Sequence, residues 1–319
     1  MSDFLWYGAY PAGIPHTIDP DSIANIPAIL DAAAKKFPKR TGYTNLGANL
    51  SYADAEKRSK EFAAYLQSLP ELKPGDRVAV MMPNLLQYVV AVFGILRAGM
   101  TVVNINPLYT AREVHHSLKD SGAKAIVIIE NFARTLEQAV PGTSCTRFIL
   151  TGAGDMLSFP KREIVNFMIR HVKKMVPVYK LPGAVNFRDA LSIGRSAGFR
   201  PVDVKSSDLA FLQYTGGTTG VAKGAELTHR NMIANVLQVS AWISQRFKEG
   251  EETVLTALPL YHVFSLTATM VFTHWAAEMV LITNPRNLDS LAGECVKHDV
   301  SVIIGVNTVS YTHLTLPTI

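Results

Sequence analysis

Apolar positions along the chain follow two rhythms, one of helical spacing and one of short unbroken runs. Over 24–36, Ile26, Ile29, Leu30 and Ala33 fall on one helical face. Residues 51–69 predict a second helix, with Ser51 as its N-cap. The turn Pro74-Gly75-Asp76 leads into RVAVMM at 77–82, a short buried strand. A strongly apolar helix over 85–96 ends near Gly99, and 101–104 is the next strand. Helix 111–120 and strand 125–129 repeat the alternation. A second block starts at Asp208, with strands at 209–214, 225–227, 253–257, 279–282 and 300–304. Helices at 230–247, 263–276 and near 289–297 separate them. Strands spaced by helices of about a dozen residues imply βαβ units, a parallel sheet and an α/β fold. Between the blocks, 152–200 reads as basic and irregular, an insertion or a link between two sheets.

Composition narrows the class. The chain has 319 residues, 48% hydrophobic and 18% charged, which excludes a disordered chain and allows a large core. That length suggests about two domains or subdomains. Only Cys145 and Cys295 occur, too few for a disulfide framework or a Cys-rich zinc site. They read as reduced, buried thiols of a cytosolic protein. The N-terminus carries Asp3 and has no basic start or long apolar run, so no secretory signal is expected. The uncharged stretch 263–277 is shorter than the roughly 20 apolar residues a membrane span needs, and it reads as a buried helix.

The net charge of +5 is local. Residues 161–180 hold six Lys/Arg against one Glu, a surplus equal to that of the whole chain. Ile164, Phe167, Met168, Val172 and Met175 form one apolar stripe flanked by Lys161, Arg162, Arg170, Lys173 and Lys174. Two readings stand: an amphipathic helix on an anionic membrane surface, or a surface helix docked on the protein's own core. Nucleic acid is not expected as a partner, because no nucleic-acid motif accompanies this modest surplus.

The candidate chemistry lies in one loop. After the apolar strand at 209–214 comes TGGTTGVAKGAELTHRN, with Thr215, Gly216, Gly217, Thr218, Thr219, Gly220 and Lys223. Closely spaced glycines let the backbone turn sharply and approach a ligand. Successive N–H groups can form an anion nest, and the hydroxyls and Lys223 add donors and a positive charge. The loop is not a Walker A motif, since Ala222 precedes the lysine and Gly224 follows it. On these features alone it is either a polyphosphate cradle or a plain Gly/Thr connection. His115, His116, His298 and His313 show no metal-ligand spacing and read as surface or core residues; no metal site is expected.

The ordered string from Tyr214 to Asn231 resembles the phosphate-loop signature of the adenylate-forming (AMP-binding) superfamily, which includes acyl-CoA synthetases, luciferases and peptide-synthetase adenylation domains. The stretch 96–107, LRAGMTVVNINP, is similar to the family's second core motif, and 257–266, ALPLYHVFSL, to its next substrate-side motif. The opening at 6–15 and the NPLYT run at 106–110 are most similar to the N-terminal part of bacterial long-chain fatty-acid–CoA ligases.

The resemblance implies stacked αβαβα layers and a two-step reaction. A long-chain fatty acid would attack Mg-ATP to give acyl-AMP, and CoA would then form the thioester. ATP, Mg²⁺ and CoA are the cofactor and co-substrates so implied. By the match, Thr215, Gly216, Gly217, Thr218, Thr219, Gly220 and Lys223 would hold the β- and γ-phosphates, and Lys223 would help neutralise departing pyrophosphate. His262 aligns with a catalytic histidine beside carboxylate and nucleotide; otherwise it is a structural histidine. Tyr261 and Phe264 would line the acyl pocket, or are core aromatics. Gly305 and Val306 resemble a segment lining the acyl tunnel. A homodimer, and a cytoplasmic location with peripheral attachment to the inner membrane face, belong to the same set of expectations.

The resemblance stops after Thr308, and 309–319 reads as a non-native tail. The family's later motifs, its barrel and its small C-terminal domain are not found, so the expectation is an N-terminal fragment inactive by itself. The expected organisation is 1–205 as one subdomain, 206–308 as a second, and the tail. Two other readings are another adenylating enzyme (a fatty-acyl-AMP ligase or aryl-CoA ligase) and a non-catalytic membrane-associating remnant.

Overall fold

The structure is a computed structural model that describes residues 4–215 and 222–306. Its elements in chain order are α1 (Ile26–Lys36), β1 (Thr41–Asn45), β2 (Ala48–Ser51), α2 (Tyr52–Ser68), β3 (Arg77–Met81), α3 (Leu86–Arg97), β4 (Thr101–Asn104), α4 (Ala111–Ser121) and β5 (Ala125–Ile129). Then come α5 (Ala133–Ala139), β6 (Arg147–Thr151), α6 (Lys161–Phe167), β7 (Val185–Asn186), α7 (Phe187–Ala197), β8 (Leu209–Thr215) and β9 (Lys223–Thr228). The last are α8 (His229–Ile243), β10 (Thr253–Thr256), α9 (Val263–His274), β11 (Glu278–Leu281), α10 (Leu288–Lys297) and β12 (Val302–Ile304).

Two sheets result. One has seven strands in the order β7-β6-β5-β3-β4-β8-β9, and the other has five in the order β12-β10-β11-β1-β2. Both are parallel except for the antiparallel pairs β8–β9 and β1–β2. In the larger sheet the chain runs from β3 outward to β4, then returns to the other side of β3 for β5. That reversal makes a switch point between β3 and β5.

Side-chain alternation sorts the chain into layers. Val78 and Val80 of β3 face a large central core with Phe62, Phe93, Phe187 and Met270, whereas Ala79 and Met81 face an outer core with Val114, Leu118 and Leu136. The outer core places α4 and α5 on one face of the seven-stranded sheet. On the five-stranded sheet, Val254 and Met279 face the same central core, while Leu255 and Val280 pack against Leu291 of α10. The sequence-expected αβαβα stack is therefore present, with α1–α3 and α7–α9 in the shared middle layer. Every residue of α3 is buried, as its all-round apolar sequence requires.

The middle layer packs closely because of two glycines. A Cβ on Gly94 of α3 would lie 2.9 Å from the Ser59 carbonyl oxygen of α2, and one on Gly194 of α7 would lie 1.8 Å from that of Glu61. Glycine lets α3 and α7 approach α2 backbone to backbone.

The expected elements lie within a few residues of their bounds, but β1, β2, α5 and β6 are not among them, and two further features differ. The segment 152–200 is not irregular throughout, since it contains α6, β7 and α7. Asn186 caps α7 by accepting from the Arg188 N–H at 2.9 Å, and Phe187, Ala190, Leu191 and Gly194 are buried. The sheets also interleave along the chain. β8 and β9, beyond residue 205, complete the sheet begun by β3, while β1 and β2 join the sheet formed after residue 250.

The apolar stripe of 161–180 does not dock on the core. α6 continues into one wider turn (Met168–Val172) and is held by its polar side. Asn166 accepts from the Gly154 N–H at 2.8 Å and donates to Asp155 at 2.9 Å, and Arg170 pairs with the buried Glu130. Ile164 and Phe167 are each 58% exposed, and Val172 and Met175 are also exposed. Among the described residues, no helix is long and apolar enough to cross a membrane.

Candidate functional site

The carboxyl ends of the parallel strands meet along one edge, and there a cleft of about 710 Å³ opens between the two sheets. Asn84 follows β3, Ile129 ends β5, Ala153 follows β6, Ala257 follows β10 and Thr283 follows β11; all line it. This is the β3/β5 switch point, the place where open α/β sheets bind ligands. Prolines, aliphatic side chains, Phe132 and Tyr261 supply most of the wall, with Asn84, Asn131, Thr283, Asn284 and Arg286 as its polar members. Its size falls in the range of small-molecule sites, about 300–1,000 Å³.

The Gly/Thr loop starts at the same edge. Thr215 ends β8 and Lys223 begins β9, and the two are direct cross-strand partners. Such partners hold their Cβ atoms about 4.5–5.5 Å apart, on one face of the hairpin. Both side chains are exposed. Thr215 and Lys223 are therefore brought together at the neck of the loop. Gly216, Gly217, Thr218, Thr219 and Gly220 lie outside the described residues. So does the tail 309–319.

The neck is clasped by α4. Tyr214 donates to the Asp120 carboxylate at 2.6 Å, and the His116 ring bonds the Ala222 carbonyl at 2.9 Å. One helix thus grips both stems of the loop. Partial burial and the Asp120 carboxylate together push the Tyr214 hydroxyl well above its usual range. Gly224 faces Tyr214 across the hairpin, and a Cβ there would meet the ring at 3.2 Å. His116, expected to be a bystander, is part of the neck.

Loop 257–262 connects β10 to α9 and carries two of the expected substrate residues. Tyr261 lines the cleft, where burial raises its hydroxyl pKa. His262 is the N-cap residue of α9, with its side chain exposed at the cleft edge of the fold. Phe264, in the first turn of α9, is 48% exposed and is not part of the cleft wall. Gly305 and Val306 follow β12 and are exposed. Register pairs Ile304 with Thr256, which sets them beside the start of loop 257–262.

Buried amides missed by the sequence reading hold this loop. Asn84 donates to the carbonyls of Thr256 at 3.1 Å and Leu258 at 2.9 Å, and accepts from the Leu260 N–H at 2.8 Å. Their signal was present: Asn84, Asn104 and Gln213 are lone amides at or just past the carboxyl ends of apolar strands. No group of three or more His, Cys, Asp or Glu among the described residues is placed to hold a metal ion.

The geometry matches known proteins. The chain is 50% identical over 305 residues to the long-chain-fatty-acid–CoA ligase of Salmonella typhimurium, covering 95% of this chain and 54% of that relative. The ligase of the same name from Bacillus subtilis is 34% identical, with 90% and 51% covered. Among solved structures, a long-chain-fatty-acid–CoA ligase from Archaeoglobus fulgidus superposes with a TM-score of 0.74 at 23% identity, covering 92% of this chain and 53% of that one. The anthranilate–CoA ligase AuaEII, bound to anthranoyl-AMP, superposes at 0.77 and 16% identity, covering 94% and 54%. The chain spans about half the length of the curated relatives it matches. The family model for AMP-binding enzymes matches residues 30–318, past residue 308 where the motif resemblance ends. With that match over most of its length, and with the clasped Gly/Thr loop beside a switch-point cleft, the chain belongs to the AMP-binding enzyme family.

Proposed function

We propose that this chain supplies the phosphate-binding and acyl-binding half of a long-chain fatty-acid–CoA ligase. The observation that carries the reading is the loop neck: Thr215 and Lys223 are paired across a hairpin at the same sheet edge as an apolar cleft. In the reaction, a carboxylate oxygen of the fatty acid attacks the α-phosphorus of ATP, and pyrophosphate departs. The sulfur of CoA then attacks the acyl carbon of the acyl-AMP, and AMP departs. Lys223 and the backbone of 215–220 hold the β- and γ-phosphates and offset the charge on the leaving pyrophosphate. His262 sits at the edge where carboxylate and nucleotide meet, and Tyr261 lines the acyl side. Phe264, Gly305 and Val306 border that side. The apolar wall suits an alkyl chain, and the organised site contributes mainly by positioning the two reactants.

Mg²⁺ enters this reading as the counter-ion of ATP, with phosphate oxygens as its ligands. The described residues hold no carboxylate cluster that fits a resident ion. Peripheral attachment to an anionic membrane surface is assigned to 161–180, on the exposed stripe of Ile164, Phe167, Val172 and Met175 and its basic flanks. A cytoplasmic location and a homodimer stay in the reading on the resemblance alone.

The test is calorimetry of Mg-ATP binding to this chain and to its Lys223→Ala variant. Binding that the variant weakens about tenfold or more supports the reading, that being about the effect of losing a charge-assisted contact. Equal binding by both, or none in a chain that is folded by circular dichroism, refutes the claim that this half carries the phosphate site.

A further inference from the structure

Loop 257–262 belongs by connectivity to the five-stranded sheet, yet three of its carbonyls and one of its N–H groups bond side chains of the seven-stranded sheet, of α3 and of the loop between β3 and α3. The Tyr88 hydroxyl lies 2.8 Å from the Leu260 carbonyl and 2.9 Å from the Asn104 side-chain oxygen. The Asn104 amide donates to Gln213 Oε1 at 3.1 Å. Gln213 Nε2 in turn donates to the Tyr261 carbonyl, next to His262. All three side chains are 5% exposed or less. The Asn104 contact fixes which end of the Gln213 amide points at the loop, since Oε1 must accept and Nε2 must donate.

Gln213 also precedes the neck of the Gly/Thr loop by two residues. Strand alternation sends Gln213 toward loop 257–262 and Tyr214 to the opposite face, toward Asp120. The end of β8 is thus fastened on both faces at once, and one fastening is the other loop. A hydrophobic residue of the same length would fill the space but leave the Tyr261 carbonyl and the Asn104 amide without partners, which is costly for buried groups.

We propose that Gln213 is a positioning residue whose buried amide registers loop 257–262, and with it His262, against the neck of the phosphate loop. The proposal rests on reading these two loops as the acyl and nucleotide sides of one site. Ordering of the neck by a polyphosphate is then transmitted to Tyr261 and His262 through a rigid amide rather than through the cleft. Tyr88 and Asn104 act by holding Gln213 and the Leu260 carbonyl in place.

The experiment is amide hydrogen exchange on this chain, read over 222–228 and 257–264, with and without Mg-ATP. Parent, Lys223→Ala, Gln213→Leu and Tyr88→Phe are compared. In the parent, Mg-ATP slows exchange in both segments, by ~10-fold at 257–264, the change expected for a gain the size of one net hydrogen bond. In Gln213→Leu the 222–228 response persists and the 257–264 response is lost. Tyr88→Phe, which removes one oxygen, lowers the 257–264 response and carries the test if Gln213→Leu does not fold. An undiminished 257–264 response in the variants, or none in the parent while 222–228 responds, overturns the positioning role and leaves the functional reading intact. Absence of any Lys223-dependent response in either segment overturns the functional reading, and this proposal with it.

Discussion

His229 is a titration switch on stability, and its effect can be worked out in size and sign. It opens α8 and is 2% exposed, and its Nδ1 accepts the N–H of Ile26 at 3.2 Å, the first residue of α1. Burial pulls its pKa down from 6.5 to about 4, against a smaller upward pull from Asp208. A protonated ring would lose the acceptor and bury a charge beside the start of α1. Between pH 6.5 and 4 the unfolded chain therefore binds more protons than the folded one, so stability rises with pH. The contribution is fully present above pH 6.5 and is lost as pH falls to about 4. That span, at about 1.36 kcal/mol per pH unit, sets a ceiling of ~3.4 kcal/mol, and local relaxation brings the expected loss to ~2 kcal/mol. The assay is urea unfolding at several pH values from 7 to 4, for the parent and His229→Gln. Glutamine offers the Ile26 N–H a neutral acceptor that does not titrate. The variant is expected to lose ~2 kcal/mol less than the parent across the window. His274, also lowered by burial, and the surface carboxylates titrate alike in both proteins and cancel in the difference. Parallel curves for parent and variant would show that His229 does not carry this dependence.

Four further outcomes are expected. Gly194→Ala forces α7 off the Glu61 carbonyl and costs ~1–3 kcal/mol or more in urea unfolding; a cost below ~0.5 kcal/mol would mean that α2 and α7 are not packed as closely as described. Tyr214→Phe releases Asp120 and one stem of the Gly/Thr loop; Mg-ATP affinity drops ~3–10-fold with circular dichroism unchanged, and unchanged affinity refutes the clasp. Cys145 is buried, with its thiol pushed up to about 12, so a thiol reagent at pH 8 titrates Cys295 alone in the folded chain and both cysteines after unfolding. Phe167→Asp removes an exposed ring from the basic stripe; co-sedimentation with anionic vesicles falls while the unfolding midpoint moves little, and equal sedimentation argues against this stripe as the contact.

Local signals carried much of the architecture. Ser51 accepts from the Asp54 N–H at 3.1 Å as the expected N-cap, and the alternation of short apolar runs with helices gave the α/β class and most elements. What one strand pairs with was not legible, because pairing depends on residues far apart. Nothing near Tyr43 signals that its partner is Met279. The helix α7 was legible and was passed over: Phe187, Ala190, Leu191 and Gly194 carry helical spacing behind Asn186, hidden within a basic stretch rich in Pro and Gly. At the site, the Gly/Thr string and Lys223 stood out by composition. Asn104 and Gln213 were visible as lone amides in apolar strands and Tyr88 as a polar ring in an apolar helix, but their roles come only from contacts made far along the chain. His116 shows the same limit: the carbonyl it holds is 106 residues away.

The pairing of β1 with β11 has a consequence for how the chain folds as it is made. β1 and β2 are synthesised long before the parallel neighbour that shelters β1, which ends at Leu281. In the meantime β3 to β7 can assemble in order, whereas β1 presents one unpaired edge with Tyr43 and Leu50 awaiting their final core. Closing a contact over more than 200 residues is slow compared with forming a local βαβ unit. The β1–β2 hairpin thus keeps an open edge until the β10–β11 unit is made and can cover it.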